Sequence, residues 1–166
     1  MNRLIEILNC DKKYGIGKRN GLLFRLPKDM AFFKASTTGH VVVMGENTLL
    51  SFPNKKPLPN RVNVVLSQDP THEYDGVINV HTMEALLSQI EFFKKADDVF
   101  VIGGASIYRQ LLPYSDEVWL NKVDADGEAE VFFENIDARE DFLLAETKEP
   151  VEDNGYKTQL HIYHKK

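Results

Sequence analysis

Val99-Phe100-Val101-Ile102-Gly103-Gly104-Ala105-Ser106-Ile107-Tyr108, "VFVIGGASIY", is an apolar run that meets paired glycines and restarts as a helical segment. An unbroken apolar run bounded by glycine reads as a strand buried on both faces, the habit of parallel sheets. Parallel strands need crossover connections, so helices and strands should alternate around it. They do. "TMEALLSQIEFFKK" (82–95) before it reads as a helix that Thr82 can cap, although Ala85 at the third helical position leaves the reciprocal capping pair absent. "ASIYRQLLP" (105–113) reads as the helix after it, and "DEVWLNKV" (116–123) as the next strand.

Further out, "RLIEIL" (3–8), "HVVVMG" (40–45), "RVNVVLS" (61–67) and "GVINV" (76–80) read as strands. "KDMAFFKAST" (28–37) and "ENTLLSF" (46–52) read as helices, and "SFPNKKPLPN" (51–60) as a Pro-rich loop. "DFLLAETKEP" and "YKTQLHIYHK" read as a closing antiparallel pair. The order predicts an α/β fold: a mostly parallel central sheet covered by helices, with a C-terminal antiparallel edge hairpin, as one domain over 1–166. Ligands of such sheets bind beyond the carboxyl ends of the strands, here near Asn9, Gly45, Ser67, Ile102 and Asn121.

The totals narrow the function. The chain has 166 residues, 43% hydrophobic and 27% charged, with a formal net charge of −5. That balance and the lack of a long basic run give no reason to expect a nucleic-acid partner. Cys10 is the only cysteine, so no intrachain disulfide forms. The N-terminal apolar run is short and holds Glu6, and no stretch approaches a membrane span. A cytoplasmic protein is expected. The histidines at 40, 72, 81, 161 and 164 show no metal-ligand spacing, and no serine sits in a nucleophile elbow.

Several stretches could carry chemistry. Gly103-Gly104 lets a backbone approach a ligand, and the following helix start offers free N–H groups to phosphate; a plain turn explains the glycines equally. "VVVMGENTLLS" (41–51) is a second such junction, where Asn47 or Thr48 caps a helix or meets phosphate. Two junctions at one sheet edge could straddle a pyrophosphate. "CDKKYGIGKRNGLLF" (10–24) is either a mobile lid over the strand ends or an inert surface loop. Arg61 opens a strand, where a guanidinium can clamp a carboxylate. Tyr108 is core or a ligand wall. Asp29 stands in the first turn of a helix, three and four residues before Phe32 and Phe33. An acid is favoured there by the helix dipole, yet on an aromatic face it either turns to solvent or serves a polar ligand.

Taken together, "GIGKRNGLLFRLPKDMAFFK", "VVVMGENT", "PLPNRVNVVLS", "VFVIGGASIYRQLLP" and "DEVWLNKVDA" resemble dihydrofolate reductase, in family order and spacing over nearly the whole chain. The resemblance implies an eight-stranded sheet with about four flanking helices. It implies reduction of 7,8-dihydrofolate to tetrahydrofolate by hydride from NADPH. Asp29 matches the family's acid, which would hold the pterin 2-amino group and N3. The substrate pocket would be built from Ile7, Leu8, Asn9, Leu22, Met30, Phe33, Phe52, Leu58 and Ile102, with Arg61 on the glutamate tail. The cofactor would meet Asn9, Ile16, Gly17, Asn20, Gly45, Glu46, Asn47, Thr48, Leu66, Ser67, Gln68 and His81. On the other junction it would meet Ile102, a cis-linked Gly103 and Gly104, Ala105, Ser106, Ile107 and Tyr108. Diaminopyrimidine and methotrexate-like antifolates would bind, and a monomer is the family default.

The chain also departs from the family. Phe24 stands for the usual lid tryptophan, and Asn121 for the usual threonine beside the acid. Glu46 replaces a frequent arginine near the adenosine phosphates, and Gln68 a basic or hydroxyl residue, so NADH tolerance is an open expectation. His81 is the nearest compensating candidate. Two alternatives stand beside the reductase: the related reductase of riboflavin synthesis, which lacks this acid, and a non-catalytic folate- or nucleotide-binding module.

Overall fold

The computed structural model describes residues 2–19 and 21–166. Its strands are β1 (Leu4–Cys10), β2 (Gly15–Gly17), β3 (Val41–Gly45), β4 (Val62–Leu66), β5 (Ile78–Val80), β6 (Val99–Val101), β7 (Glu117–Val123), β8 (Val131–Phe132), β9 (Phe142–Thr147), β10 (Val151–Asp153) and β11 (Tyr156–Lys165). The helices are α1 (Pro27–Thr37), α2 (Glu46–Leu50), α3 (Met83–Lys94) and α4 (Ala105–Leu111). The central sheet runs β10-β11-β7-β1-β6-β3-β4-β5, with β9 pairing β11 as a ninth strand. From β7 to β5 all neighbours are parallel; β11 then pairs antiparallel with β7, β9 and β10. The C-terminal pair is thus present, but β11 is interior and the edge falls to β9 and β10.

The all-apolar run Val41-Val42-Val43-Met44 is buried throughout, as a central parallel strand requires. Val41 and Val43 face α3 and α4 in a core with Leu86, Ile90 and Leu111, while Val42 and Met44 face Leu49 of α2 and Phe32 and Phe33 of α1. Thr82 caps α3 by accepting from the Ala85 N–H at 3.0 Å. Helix α1 opens with Pro27 at its first position, where a missing N–H costs nothing. Because β6 returns between β1 and β3, its carboxyl end, Ile102-Gly103-Gly104, lies between Asn9 and Gly45. Among the described residues, no helix is long and apolar enough to cross a membrane.

One core residue is out of character. Glu6 of β1 is fully buried; one carboxyl oxygen meets the Ser115 hydroxyl at 3.4 Å and the other has no partner. Burial pushes this carboxyl well above its ordinary range. The folded state therefore holds a proton that the unfolded chain releases. Stability tied to Glu6 is complete below about pH 4.5 and falls as pH rises towards the raised folded value. Glu6→Gln should match the parent's thermal stability in acid and exceed it by roughly 1–3 kcal/mol at pH 8, the cost of an unsatisfied buried polar group. Superimposable melting curves across that pH range would contradict this.

Candidate active site

Asn9 and Asn121 are register partners on the parallel pair β1 and β7, so their side chains leave the sheet side by side. Both reach Asp29. The Asn9 amide donates to Oδ2 at 2.9 Å and the Asn121 amide to Oδ1 at 3.0 Å. Each carboxylate oxygen keeps acceptor capacity for a second donor. Burial is the main force on the Asp29 proton and raises its affinity; the two amides oppose it, the nearby Asp153 adds to it, and the net shift is upward. A carboxyl that is half-buried, braced by neutral donors and free of any cation suits a ligand that presents two adjacent N–H groups.

The apolar wall around it comes from the core cluster that holds Ile7, with Phe33, Phe52, Leu58 and Ile102 packed against it. Met30 (55% exposed) and Leu22 (74% exposed) stand outside that wall at its mouth. Leu8 packs instead against the core under α3 and α4, because alternation along β1 turns it to the other face. Its expected place in the substrate pocket does not hold for the side chain. The Tyr108 hydroxyl, fully buried, donates to the Ile7 carbonyl at 2.9 Å. Arg61 is half-buried; its Nε donates to the Pro59 carbonyl at 3.0 Å, and among the described residues it has no carboxylate partner.

The two glycine junctions meet. Gly45 N–H donates to the Gly103 carbonyl at 2.9 Å, and the Gly103–Gly104 peptide is cis. Gly103 has φ +121°, and a Cβ there would lie 3.4 Å from the Thr48 hydroxyl and 3.5 Å from the Tyr108 ring. A Cβ on Gly45 would lie 3.1 Å from Ile107. The backbone at this edge is therefore bare, and the first turns of α2 and α4 have no side-chain cap. Free N–H groups on a bare backbone fit a pyrophosphate. Leu66, Ile107 and Tyr108 are buried in the core beside this edge. Ala105, Ser106, Asn47 and Thr48 remain at the edge.

Beyond the junction the chemistry reverses sign. Glu46 accepts from the Tyr74 hydroxyl and lies 2.7 Å from His72 Nδ1. The Tyr74 hydroxyl is the main reason its carboxyl sits below the ordinary range. His72 also faces Asp69 at 3.3 Å. His81 is tied to the Ser67 carbonyl at 2.9 Å and faces Glu73 at 3.4 Å. Gln68 is exposed. The ionised Glu46 carboxylate is the feature of this region least suited to a nearby phosphate.

The described residues of the 10–24 stretch are tied down. The Asp11 carboxylate accepts the N–H groups of Gly15 and Lys13 at 2.8 Å and of Gly127 at 3.0 Å. Strand β2, which carries Ile16 and Gly17, pairs with β8, and Glu130 accepts from the Arg19 N–H at 2.8 Å. Asn20 lies outside the described residues. Phe24 is buried with Leu26 and Val123, its ring 4.8 Å from Tyr156. The residue reading missed Asp11, β2, β8 and Asp153. Of these, only Asp153 carried a local signal, the Asn154-Gly155 turn that follows it. Among the described residues no group of three His, Cys, Asp or Glu could hold a metal.

The family model described as dihydrofolate reductase matches residues 3–165. The dihydrofolate reductase of Bacillus subtilis is 34% identical over 162 residues, covering 96% of this chain and 93% of that protein. That of Haemophilus influenzae is 33% identical over 152 residues, 91% of each chain. Among solved structures, dihydrofolate reductase from Enterococcus faecalis, complexed with NADP(H) and RAB-propyl, superposes with a TM-score of 0.88 at 28% identity, covering 98% of this chain and 96% of that one. Likeness of sequence and of fold, each carried almost end to end, leads to one conclusion: the chain belongs to the dihydrofolate reductase family.

Proposed function

We propose that the chain reduces 7,8-dihydrofolate to 5,6,7,8-tetrahydrofolate, supplying one-carbon metabolism, as a monomeric cytoplasmic enzyme folded in one domain over 1–166. The enzyme is a dihydrofolate reductase, EC 1.5.1.3, and NADPH is its cofactor. Asp29, braced between Asn9 and Asn121 at the carboxyl end of the sheet, carries this reading. Its two oxygens accept the pterin 2-amino group and N3–H, and the apolar wall of Ile7, Phe33, Phe52, Leu58 and Ile102 takes the ring. Reduced nicotinamide, when bound, supplies the hydride to pterin C6. The chain's own residues align the rings, exclude water and polarise the pterin so that a water protonates N5. The raised proton affinity of Asp29 supports that role. The Ile7 carbonyl, fixed by Tyr108, and the Ile102 carbonyl face the pterin 4-position. Arg61 takes the carboxylate of the glutamate tail. Diaminopyrimidine and pterin antifolates offer Asp29 the same paired N–H groups.

The test is loss of nicotinamide absorbance with 7,8-dihydrofolate, run in parallel with NADPH and NADH. Dihydrofolate-dependent oxidation is expected with NADPH, with NADH as a measurable second donor. Thermal protection by folate with no oxidation of either cofactor would identify a binding module and overturn the proposal.

A further inference from the structure

Helix α1 begins without a cap of its own. Its N-cap residue is Leu26, which has no side-chain acceptor, and Pro27 follows. The next two N–H groups are satisfied from 124 residues or more away. Asp153 accepts the Lys28 N–H on Oδ1 at 3.1 Å and the Asp29 N–H on Oδ2 at 3.0 Å. It is 2% exposed. It ends β10, where Asn154 (φ 50°) and Gly155 (φ 83°) reverse the chain into β11. Both central φ values are positive, as a tight two-residue hairpin turn demands. The hairpin grips the same segment elsewhere: Lys28 Nζ donates to the Glu152 carbonyl at 2.7 Å, and Asn154 Nδ2 to the Arg25 carbonyl at 2.9 Å.

A buried carboxylate with no cation is costly unless every lone pair it offers is used. Here two amides at the positive end of a helix use it. An asparagine or serine here would present one acceptor atom and leave one of the two N–H groups without a partner, so the two-pronged cap itself calls for a carboxylate. One of the two amides it holds belongs to the acid of the site. We propose that Asp153 is a positioning residue for Asp29, fixing the acid's backbone from across the fold and setting a second negative charge beside its carboxyl. Asp29 is then held at three points: its N–H by Asp153, and its two oxygens by Asn9 and Asn121. The groups facing it are those two neutral amides, the Tyr108 hydroxyl committed to Ile7, and Asp153; the Lys28 ammonium is turned to the Glu152 carbonyl. The one charge among them that bears on Asp29 is negative, and it makes the acid hold its proton to higher pH.

The inference rests on the reductase reading for its consequence but not for its test. Carbon-13 NMR of the Asp29 carboxyl gives its titration midpoint in the parent, Asp153→Asn and Asp153→Ser, whether or not the protein turns over. Both variants keep one of the two capping acceptors and lack the charge. Their Asp29 midpoint should fall, as loss of a like charge produces. The pH at which kcat/KM for dihydrofolate declines should fall by the same amount, with thermal stability lowered only modestly. Unchanged midpoints in both folded variants would reduce Asp153 to a helix cap and overturn the proposal. A parent that does not reduce dihydrofolate would instead overturn the function, leaving the NMR result to stand on its own.

Discussion

Asp29→Asn should fold as the parent does and lose about 100-fold or more of its dihydrofolate-dependent turnover at neutral pH, the range by which a positioned acid–base group accelerates reaction. The fold should survive because the backbone N–H of residue 29 still meets Asp153, and the like charge between the two side chains is gone. One local conflict remains. Asn9 and Asn121 both donate to the present carboxylate. An asparagine accepts at only one atom, so one of the two neighbours must flip its amide or turn to water, at a cost of about 1 kcal/mol. Catalysis has no such escape. The variant has no ionisable group to polarise the pterin, and it offers one acceptor where the ligand presents two N–H groups. Its residual rate should rise towards acid pH, where solvent protonates the substrate unaided, so the deficit against the parent narrows there. Steady-state kinetics from pH 5 to 9 give the check. Near-parental turnover at pH 7 would remove the central role assigned to Asp29.

What the sequence disclosed and what it hid follow from the range of the interactions involved. Val41–Met44, the Gly103-Gly104 junction, Pro27 and Thr82 are governed by neighbours within a few residues, and each was legible. The position of Asp29 on an aromatic face was equally local. Its partners were not: Asn121 bonds it from 92 residues away, and no periodicity reports which strands will lie side by side. Nothing local in the sequence marks Asp153 or Asp11 for burial, yet both are buried because backbone amides from other segments converge on them. Phe24 is also settled by distant partners: Val123 and Tyr156 give it an apolar seat that its own glycine-containing stretch does not announce. The resemblance supplies expectations of role that periodicity cannot.

The departure at Glu46 should be felt most on the cofactor. Its carboxylate is fixed by the Tyr74 hydroxyl and His72 and held below the ordinary range, so it is ionised at neutral pH. An adenosine 2′-phosphate brings a charge of about −1.5 to −2. Two unit charges 4 Å apart near a protein surface interact by about 4 kcal/mol, less where water enters. NADPH should therefore bind only weakly better than NADH, and Glu46→Arg should tighten NADPH at least about tenfold while leaving NADH within about threefold. The substitution is structurally mild, since Tyr74 is half-buried and His72 exposed, and water can replace the lost acceptor. Dissociation constants from quenching of protein fluorescence separate this effect from turnover. NADPH binding to the variant should also weaken more steeply with added salt than it does in the parent, because an attractive contact is screened where a repulsive one was relieved. If the ratio of NADPH to NADH affinity is the same in parent and variant, Glu46 does not face the phosphate, and the tyrosine and histidine that hold it serve only the packing of the β4–β5 edge.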